Sequence, residues 1–204
     1  MNGQLYVISA PSGAGKTSLV SALVSASPEI SVSISHTTRA KRSGENDGVN
    51  YHFVDQAEFD RMVSANEFLE HALVFDHSYG TSISAVETLL KTGVDVVLEI
   101  DWQGARQIRE HWPDCCSIFI LPPSYNELEQ RLKRRGEDDD SIVERRMRDA
   151  VAEMSHYKDF DFIVINDDFH TALVDIQSIV RANRLRSGVQ QLEIADLLKD
   201  LLEQ

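Results

Sequence analysis

The eight residues that decide the fold read Ala10-Pro11-Ser12-Gly13-Ala14-Gly15-Lys16-Thr17. They follow a short apolar run at residues 5–9 and precede an apolar-periodic stretch at 18–26, so the sequence predicts a strand, a glycine-rich turn and a helix. Glycines allow backbone N–H groups to converge on phosphate oxygens, the lysine can reach β- and γ-phosphates, and the threonine hydroxyl can bind Mg²⁺. The pattern is that of a Walker A loop with alanine in place of the first glycine. We interpret it as a binding site for a nucleoside triphosphate.

Further apolar runs predict the sheet to which this loop belongs. Runs rich in β-branched residues occur at 94–100, 117–121 and 162–166, with helical stretches between them. Continuous apolar runs of this kind are typical of strands buried on both faces of a parallel sheet. The sequence therefore predicts an α/β fold, a parallel sheet core flanked by helices. Residues 32–35 alternate in polarity and fit either an inner strand or an edge strand.

Local signals predict where several helices begin and end. Asp55, Ser124 and Ser141 each stand three residues before a glutamate, which is the spacing of a capping box. Gly93 follows an apolar-periodic stretch, where a glycine commonly ends a helix. Strands that alternate with such helices predict βαβ units.

Composition excludes several classes of protein. The 204 residues suit one domain, and 20 basic against 33 acidic residues give a net charge of −13, which disfavours general binding to nucleic acid or to an anionic membrane. No apolar run approaches the length of a membrane span, and the first residues lack the basic character of a signal peptide. Cys115 and Cys116 are adjacent and show no zinc-site spacing, so a reducing compartment is indicated. We expect a cytoplasmic protein; its oligomeric state, a homo-oligomer included, is left open.

Two basic segments interrupt the alternation of strands and helices. Residues 36–54 carry Arg39 and Arg42, followed by Tyr51, and two guanidinium groups with a phenol are suitable for holding a second phosphate group. Residues 131–148 hold seven of the twenty basic residues, as a phosphate-covering lid would. A solvent-exposed basic loop and a solvated helix face remain the alternatives for the two segments.

With these motifs in order, the chain resembles guanylate kinases over about residues 4–186. The resemblance rests on Ser12-Gly-Ala-Gly-Lys16, Ser35-His-Thr-Thr-Arg39, Arg42-x-Gly-Glu45, Tyr51-x-Phe53, Glu67-Phe-Leu-Glu70, Tyr79-Gly-Thr81 and Asp101-Trp-Gln-Gly104. It continues through Leu121-Pro-Pro-Ser124, Arg135-Gly136, Arg146 and Asn166-Asp167. The resemblance implies one domain over 1–204. Its core would cover about 1–34, 92–130 and 150–204, with a GMP-binding insertion at about 35–91 and a lid at about 131–149.

The resemblance also implies transfer of the ATP γ-phosphoryl group to GMP, and to dGMP, in purine metabolism. The residues that match the holders of the GMP phosphate are Arg39, Arg42, Tyr51 and Tyr79, and those that match the guanine side are Ser35, Glu70, Thr81 and Asp101. Guanine presents N1–H and N2–H₂ as donors, and an ionised carboxylate only accepts, so Glu70 suits guanine and would lack a partner against adenine.

On the ATP side, the resemblance adds Asn166 to the eight residues of the loop and makes Mg²⁺ the expected cofactor, held at Thr17 and Asp101. Lys16, Arg39, Arg135 and Arg146 form the expected catalytic group. Asp101 follows an apolar strand as a Walker B acid does, and either guanine or Mg²⁺ would suit it. Glu99 stands where the family commonly has aspartate, so no role is assigned to it.

Two alternatives stay open on the sequence. A related P-loop kinase could phosphorylate a sugar phosphate, but it need not keep Glu70, Thr81 and Tyr79-Gly80 together. A guanylate-kinase-like module that binds proteins would have lost its catalytic loop, whereas Gly15-Lys16-Thr17 is intact here.

Overall fold

A computed structural model describes residues 3–74, 76–134 and 140–202. The strands are β1 (Leu5–Ser9), β2 (Ile30–Val32), β3 (His36–Thr37), β4 (His52–Phe53), β5 (Phe68–Val74), β6 (His77–Ser82), β7 (Asp95–Glu99), β8 (Cys116–Leu121) and β9 (Phe162–Ile165). The helices are α1 (Lys16–Ala26), α2 (Gln56–Ser64), α3 (Ile83–Lys91), α4 (Trp102–His111), α5 (Tyr125–Arg134), α6 (Asp140–Met154), α7 (Phe169–Arg184), α8 (Ser187–Glu193) and α9 (Ala195–Leu202), with a 3₁₀ turn at Ser155–Asp159. No described helix is long and apolar enough to cross a membrane.

The predicted parallel sheet is confirmed. Five strands pair in the order β2-β7-β1-β8-β9, and every pair is parallel. All five residues of β1 are buried, because apolar side chains of α1 and α7 cover one face of the sheet and those of α3 and α4 cover the other. The strand expected at 32–35 begins two residues earlier, at Ile30, and forms the edge of this sheet beside β7.

A second sheet has four strands in the order β4-β3-β6-β5, and Leu69 of β5 packs against the apolar core. The long pair β5 and β6 is antiparallel, and its register shifts between Phe68 and Glu70. Its strands are only partly buried, in contrast to β1. This sheet falls within the predicted insertion at 35–91; the domain boundaries themselves stay a prediction.

Most of the predicted helix signals are confirmed. The Asp55 carboxylate accepts a hydrogen bond from the Glu58 N–H at 2.8 Å, and the Ser124 hydroxyl accepts one from the Glu127 N–H at 3.1 Å. Gly93 follows α3 with φ 83°, which favours glycine. The described part of α6 starts at Asp140, next to residues outside the described range, so the capping role expected of Ser141 stays a prediction.

Candidate active site

One cavity of about 260 Å³ opens beside the carboxyl ends of β1 and β7. Its lining comprises Ala10, Pro11, Ser12, Gly13, Gly15, Lys16, Thr17, Ser35, Tyr51, Glu70, Ala72, Val74, Tyr79, Glu99, Ile100, Asp101 and Glu153. Ligands of open parallel sheets bind at this edge, because loops of different strands meet there. The cavity brings the glycine-rich loop together with side chains of the four-stranded sheet.

The loop between β1 and α1 has the backbone geometry that its glycines predict. Gly13 and Gly15 adopt φ of 90° and 92°, which side chains other than glycine rarely do. A Cβ at Gly15 would also overlap Nδ2 of Asn166, which donates a hydrogen bond to the Ala14 carbonyl oxygen at 2.7 Å. Asn166, directly after β9, thus contacts the loop with which it was grouped as an expected ATP-binding residue.

The two polar side chains that end this loop contact the strand β7 and the residue after it. Lys16 Nζ donates to the Ile100 carbonyl oxygen at 3.0 Å. The Thr17 hydroxyl donates to the Glu99 carboxylate. The sequence paired Thr17 with Asp101 for the metal, whereas the structure brings Glu99, to which no role was assigned, into direct contact with Thr17.

Glu70 is the most deeply buried acid of the cavity, with 2% of its surface exposed. The Thr81 hydroxyl donates to its carboxylate at 2.5 Å, and the Ser35 hydroxyl lies 3.4 Å from that of Thr81. Burial raises the pKa of Glu70 to about 7, and Asp101 acts in the same direction, while Thr81 and Lys16 act against them. Three of the four predicted guanine-side residues therefore form one hydrogen-bonded chain.

The fourth, Asp101, lies next to Glu70 and caps α4. Its carboxylate accepts hydrogen bonds from the Gly104 N–H at 3.0 Å and from Gln103 Nε2 at 2.9 Å. Gly104 also accounts for the close packing here, since a Cβ at this position would overlap the Glu70 carboxylate. The lack of a side chain at Gly104 thus leaves room for the Glu70 carboxylate.

The predicted phosphate clamp is split between the cavity and the surface. Tyr51 and Tyr79 line the cavity with ring centroids 5.9 Å apart. Arg39 lies behind them: its guanidinium is 5.4 Å from the Tyr51 ring centroid and forms a 2.7 Å ion pair with Glu45, which raises the pKa of Arg39. Arg42 is exposed, and its backbone N–H bonds to Glu45. Neither arginine is among the described residues that line the cavity.

A second cavity of about 330 Å³ lies on the other side of the loop. It is lined by Gly13, Gly15, Ser18, Arg131, Arg134, Asn166, Asp167 and Phe169. Arg131 donates to the Asn166 carbonyl oxygen at 3.1 Å and pairs with Glu127 at 3.0 Å. The two cavities share Gly13 and Gly15, so the loop forms a wall of both.

Of the two predicted lid arginines, Arg146 is among the described residues. Arg135 lies outside the described residues. Arg146 lies on α6, which packs through Val143, Met147 and Ala150 against Leu128 and Leu132 of α5. The two helices therefore share a small apolar core of their own.

The sequence did not single out Glu153, although it lines the first cavity. Its Oε2 accepts a hydrogen bond from the Ser12 N–H at 3.1 Å. The available signal was its spacing: Glu153 follows Arg146 by seven residues, which puts the two side chains on one face of α6.

Comparison with known proteins places this geometry in a family. The family model described as guanylate kinase matches residues 2–183. A guanylate kinase of Alkalilimnicola ehrlichii is 58% identical over 202 residues, covering 99% of this chain and 100% of that protein. A crystal structure of guanylate kinase from Anaplasma phagocytophilum superposes with a TM-score of 0.79 at 35% identity, covering 98% of this chain and 95% of that one.

A more distantly similar protein shares the fold. The SH3-kinase fragment of tight junction protein 3 matches with a TM-score of 0.53 at 9% identity, covering 91% of this chain and 59% of that one. That likeness concerns the fold alone. The family model and the similarity to the first two proteins cover nearly the whole chain, so the chain belongs to the guanylate kinase family.

Proposed function

We propose that this protein transfers the γ-phosphoryl group of ATP to GMP, giving ADP and GDP in purine nucleotide metabolism. The observation that carries the proposal is the single cavity that holds both the phosphate loop, with Lys16, and the buried Glu70 with its neighbours Ser35 and Asp101. We extend the proposal to dGMP, because each proposed GMP contact goes to the base or the phosphate. The need for ATP also supports a cytoplasmic location.

Base selection would rest on Glu70 and Asp101. Both carboxylates line the cavity, and both can accept from the N1–H and N2–H₂ donors of guanine. Adenine lacks this donor pair, so a buried acceptor would remain unpaired against AMP, which is the arrangement that gives strong discrimination. Thr81 fixes the orientation of the Glu70 carboxylate through their hydrogen bond.

The acceptor needs no general base. A phosphate monoester has a second pKa of about 6 and is mostly a dianion at neutral pH, so its oxygen is already nucleophilic. Tyr51 and Tyr79 would hold that phosphate, with Arg39 and Arg42 from the same region. Lys16, Arg146 and Arg135 would stabilise charge on the phosphoryl group in transfer. His36, a histidine close in sequence to Arg39, is not assigned as a base. Its ring packs on that of His52, with centroids 4.7 Å apart, and it is not among the described residues that line the cavity.

We also propose Mg²⁺ as cofactor. Among the described residues no cluster of three or more His, Cys, Asp or Glu side chains could hold a metal by itself. This fits Mg²⁺, which commonly takes one or two protein oxygens and completes its shell with phosphates and water. Thr17, with Glu99 in contact and Asp101 nearby, supplies suitable oxygens. When bound there, Mg²⁺ would neutralise phosphate charge.

A coupled assay of ADP release with GMP, dGMP, AMP, UMP, CMP and a sugar phosphate as acceptors tests the proposal. We expect turnover with GMP and dGMP and at least 10²-fold lower kcat/KM for the others. Preference for a sugar phosphate would identify the related P-loop kinase instead. No ADP release with any acceptor would favour the module that binds proteins.

A further inference from the structure

Glu153 of α6 reaches into the phosphate loop. Its carboxylate accepts the Ser12 N–H at 3.1 Å and shares the cavity with Gly13, Gly15 and Lys16. A P-loop binds phosphate through backbone N–H groups and a lysine, and a carboxylate is an anionic acceptor of the same kind. Glu153 is therefore placed where it would compete with a phosphate oxygen.

Glu153 is held in place by packing on both sides along the chain. On the N-terminal side, Met147 and Ala150 of α6 pack against α5. On the C-terminal side, the ring of His156 stacks on Trp102, with centroids 3.6 Å apart and planes 6° apart. These contacts fix the end of α6 against the start of α4. The contact of Glu153 with the loop is thus set by the packing of α6 against its neighbours.

The surroundings of Glu153 make its carboxylate displaceable. Burial raises the pKa of Glu153, with Asp101 and Asp149 acting in the same direction, while the Ser12 N–H and the charge of Lys16 lower it. Lys16 itself donates to the Ile100 carbonyl oxygen instead of pairing with Glu153 at close range. Glu153 is half-buried, and among the described residues its carboxylate accepts a hydrogen bond from the Ser12 N–H, so it is weakly compensated and a polyphosphate with more charge can replace it.

We propose that Glu153 competes with the phosphates of ATP for the Ser12 N–H and thereby sets nucleotide affinity. Bound phosphate displaces the carboxylate from the loop, and the carboxylate in turn favours release of ADP. Arg146 lies about 10 Å earlier along the same face of α6, so the helix that loses the carboxylate contact also carries a cation for the incoming phosphates. The inference rests on the proposed use of ATP by this loop.

The experiment compares Glu153→Gln and Glu153→Ala with the wild type by calorimetric binding of Mg·ATP, tripolyphosphate and adenosine, without GMP. A hydrogen bond to a charged acceptor is stronger than one to a neutral acceptor, so we expect Mg·ATP and tripolyphosphate to bind about five- to tenfold more tightly to both variants. Adenosine binding should not change. Glu144→Gln is the matched control: the same charge is removed from the same helix at an exposed position that pairs with Arg148.

Unchanged or weaker binding of Mg·ATP and tripolyphosphate in both variants would overturn the proposal. Weakening of all three ligands together would show that Glu153 supports the loop structurally. The same gain in Glu144→Gln would also overturn it, since the effect would then be general charge. A wild type that binds tripolyphosphate but not Mg·ATP would refute the proposed function, while the tripolyphosphate comparison would still decide the role of Glu153.

Discussion

The two ends of the cavity are built in opposite ways. The proposed phosphate end uses consecutive residues between β1 and α1, and its binding groups would be largely backbone N–H groups shaped by Gly13 and Gly15. The proposed guanine end uses side chains gathered from Ser35 to Asp101, of which Glu70 and Thr81 lie on the partly exposed four-stranded sheet. Phosphate has the same oxygens in every nucleotide, so a fixed backbone cradle suffices, whereas reading a base requires particular acceptors at particular places.

The two constructions imply different sensitivity to substitution. At the phosphate end the side chain that matters most is Lys16, and its loss should lower turnover with every phosphoryl-accepting substrate by the same factor. At the guanine end each change should alter the choice among acceptors and leave ATP binding intact. A single variant that lowers turnover with every substrate and also changes the choice among them would contradict this division.

Lys16→Met should have the largest effect. Removal of the cation that reaches the transferred phosphate should lower kcat by about 10²- to 10³-fold, the scale seen when an electrostatic stabiliser of a transition state is lost. GMP binding should remain, because the acceptor side chains lie on other elements. Single-turnover kinetics and GMP calorimetry measure both. Lys91→Met, at an exposed lysine paired with Glu87 on α3, is the control. Unchanged kcat in Lys16→Met would contradict the assignment of the loop.

Glu70→Gln should have the second largest effect. It is measured at pH 8, where the wild-type carboxylate is mostly ionised. The variant turns one acceptor oxygen into a donor that faces the guanine donors, which costs roughly 2–3 kcal/mol, or about 30- to 150-fold in kcat/KM for GMP. AMP should gain relative to GMP, and ATP affinity should not change. Glu67→Gln, at an exposed acid paired with Arg61, serves as the matched change. An unchanged GMP/AMP ratio in Glu70→Gln means that this side chain does not read the base.

The same contrast explains how much the sequence could predict. The loop at 10–17 and the apolar runs around it are local patterns, so the parallel sheet followed from physical rules. Glu70 was found only through resemblance, because a single acid at a strand has no local signature. Glu153 and the contact of Thr17 with Glu99 depend on the packing of α6 and β7 beside the loop. No spacing within one segment encodes the contact of Thr17 with Glu99. The seven-residue spacing of Arg146 and Glu153 places Glu153 on one face of α6 but does not encode which element that face meets.

Gly104→Ala tests the guanine end through α4, the helix that packs against Glu70. Alanine in place of glycine usually favours a helix by about 1 kcal/mol, but here the new Cβ would overlap the Glu70 carboxylate. The acid must shift, so we expect about a tenfold rise in the KM for GMP with ATP binding unchanged. Gly188→Ala in α8, where a Cβ meets nothing within 4 Å, should leave the kinetics unaltered. Equal KM values in the two variants would show that the position of Glu70 does not limit GMP binding.

The smallest expected effect is a pH dependence confined to the guanine end. The folded-state pKa of Glu70, about 7, lies above that of an ordinary glutamate, so about half of the carboxyls are protonated at pH 7 and one in ten at pH 8. Guanine donors need the ionised form, whereas the GMP phosphate is already mostly a dianion in this range. GMP should therefore bind about twofold more tightly at pH 8 than at pH 7, with proton release visible as a dependence of the binding heat on the buffer.

Stability should move in the opposite direction, because a carboxyl with a raised pKa favours the folded state only while it is protonated. That contribution is full below about pH 4.5 and is lost as the pH rises through about 7. Glu70→Gln cannot ionise, so its thermal stability relative to wild type should increase from pH 5 to pH 8, while its GMP affinity stays constant between pH 7 and 8. A wild type whose GMP affinity follows that of Glu70→Gln across this range would place the titration elsewhere and leave base reading to Asp101.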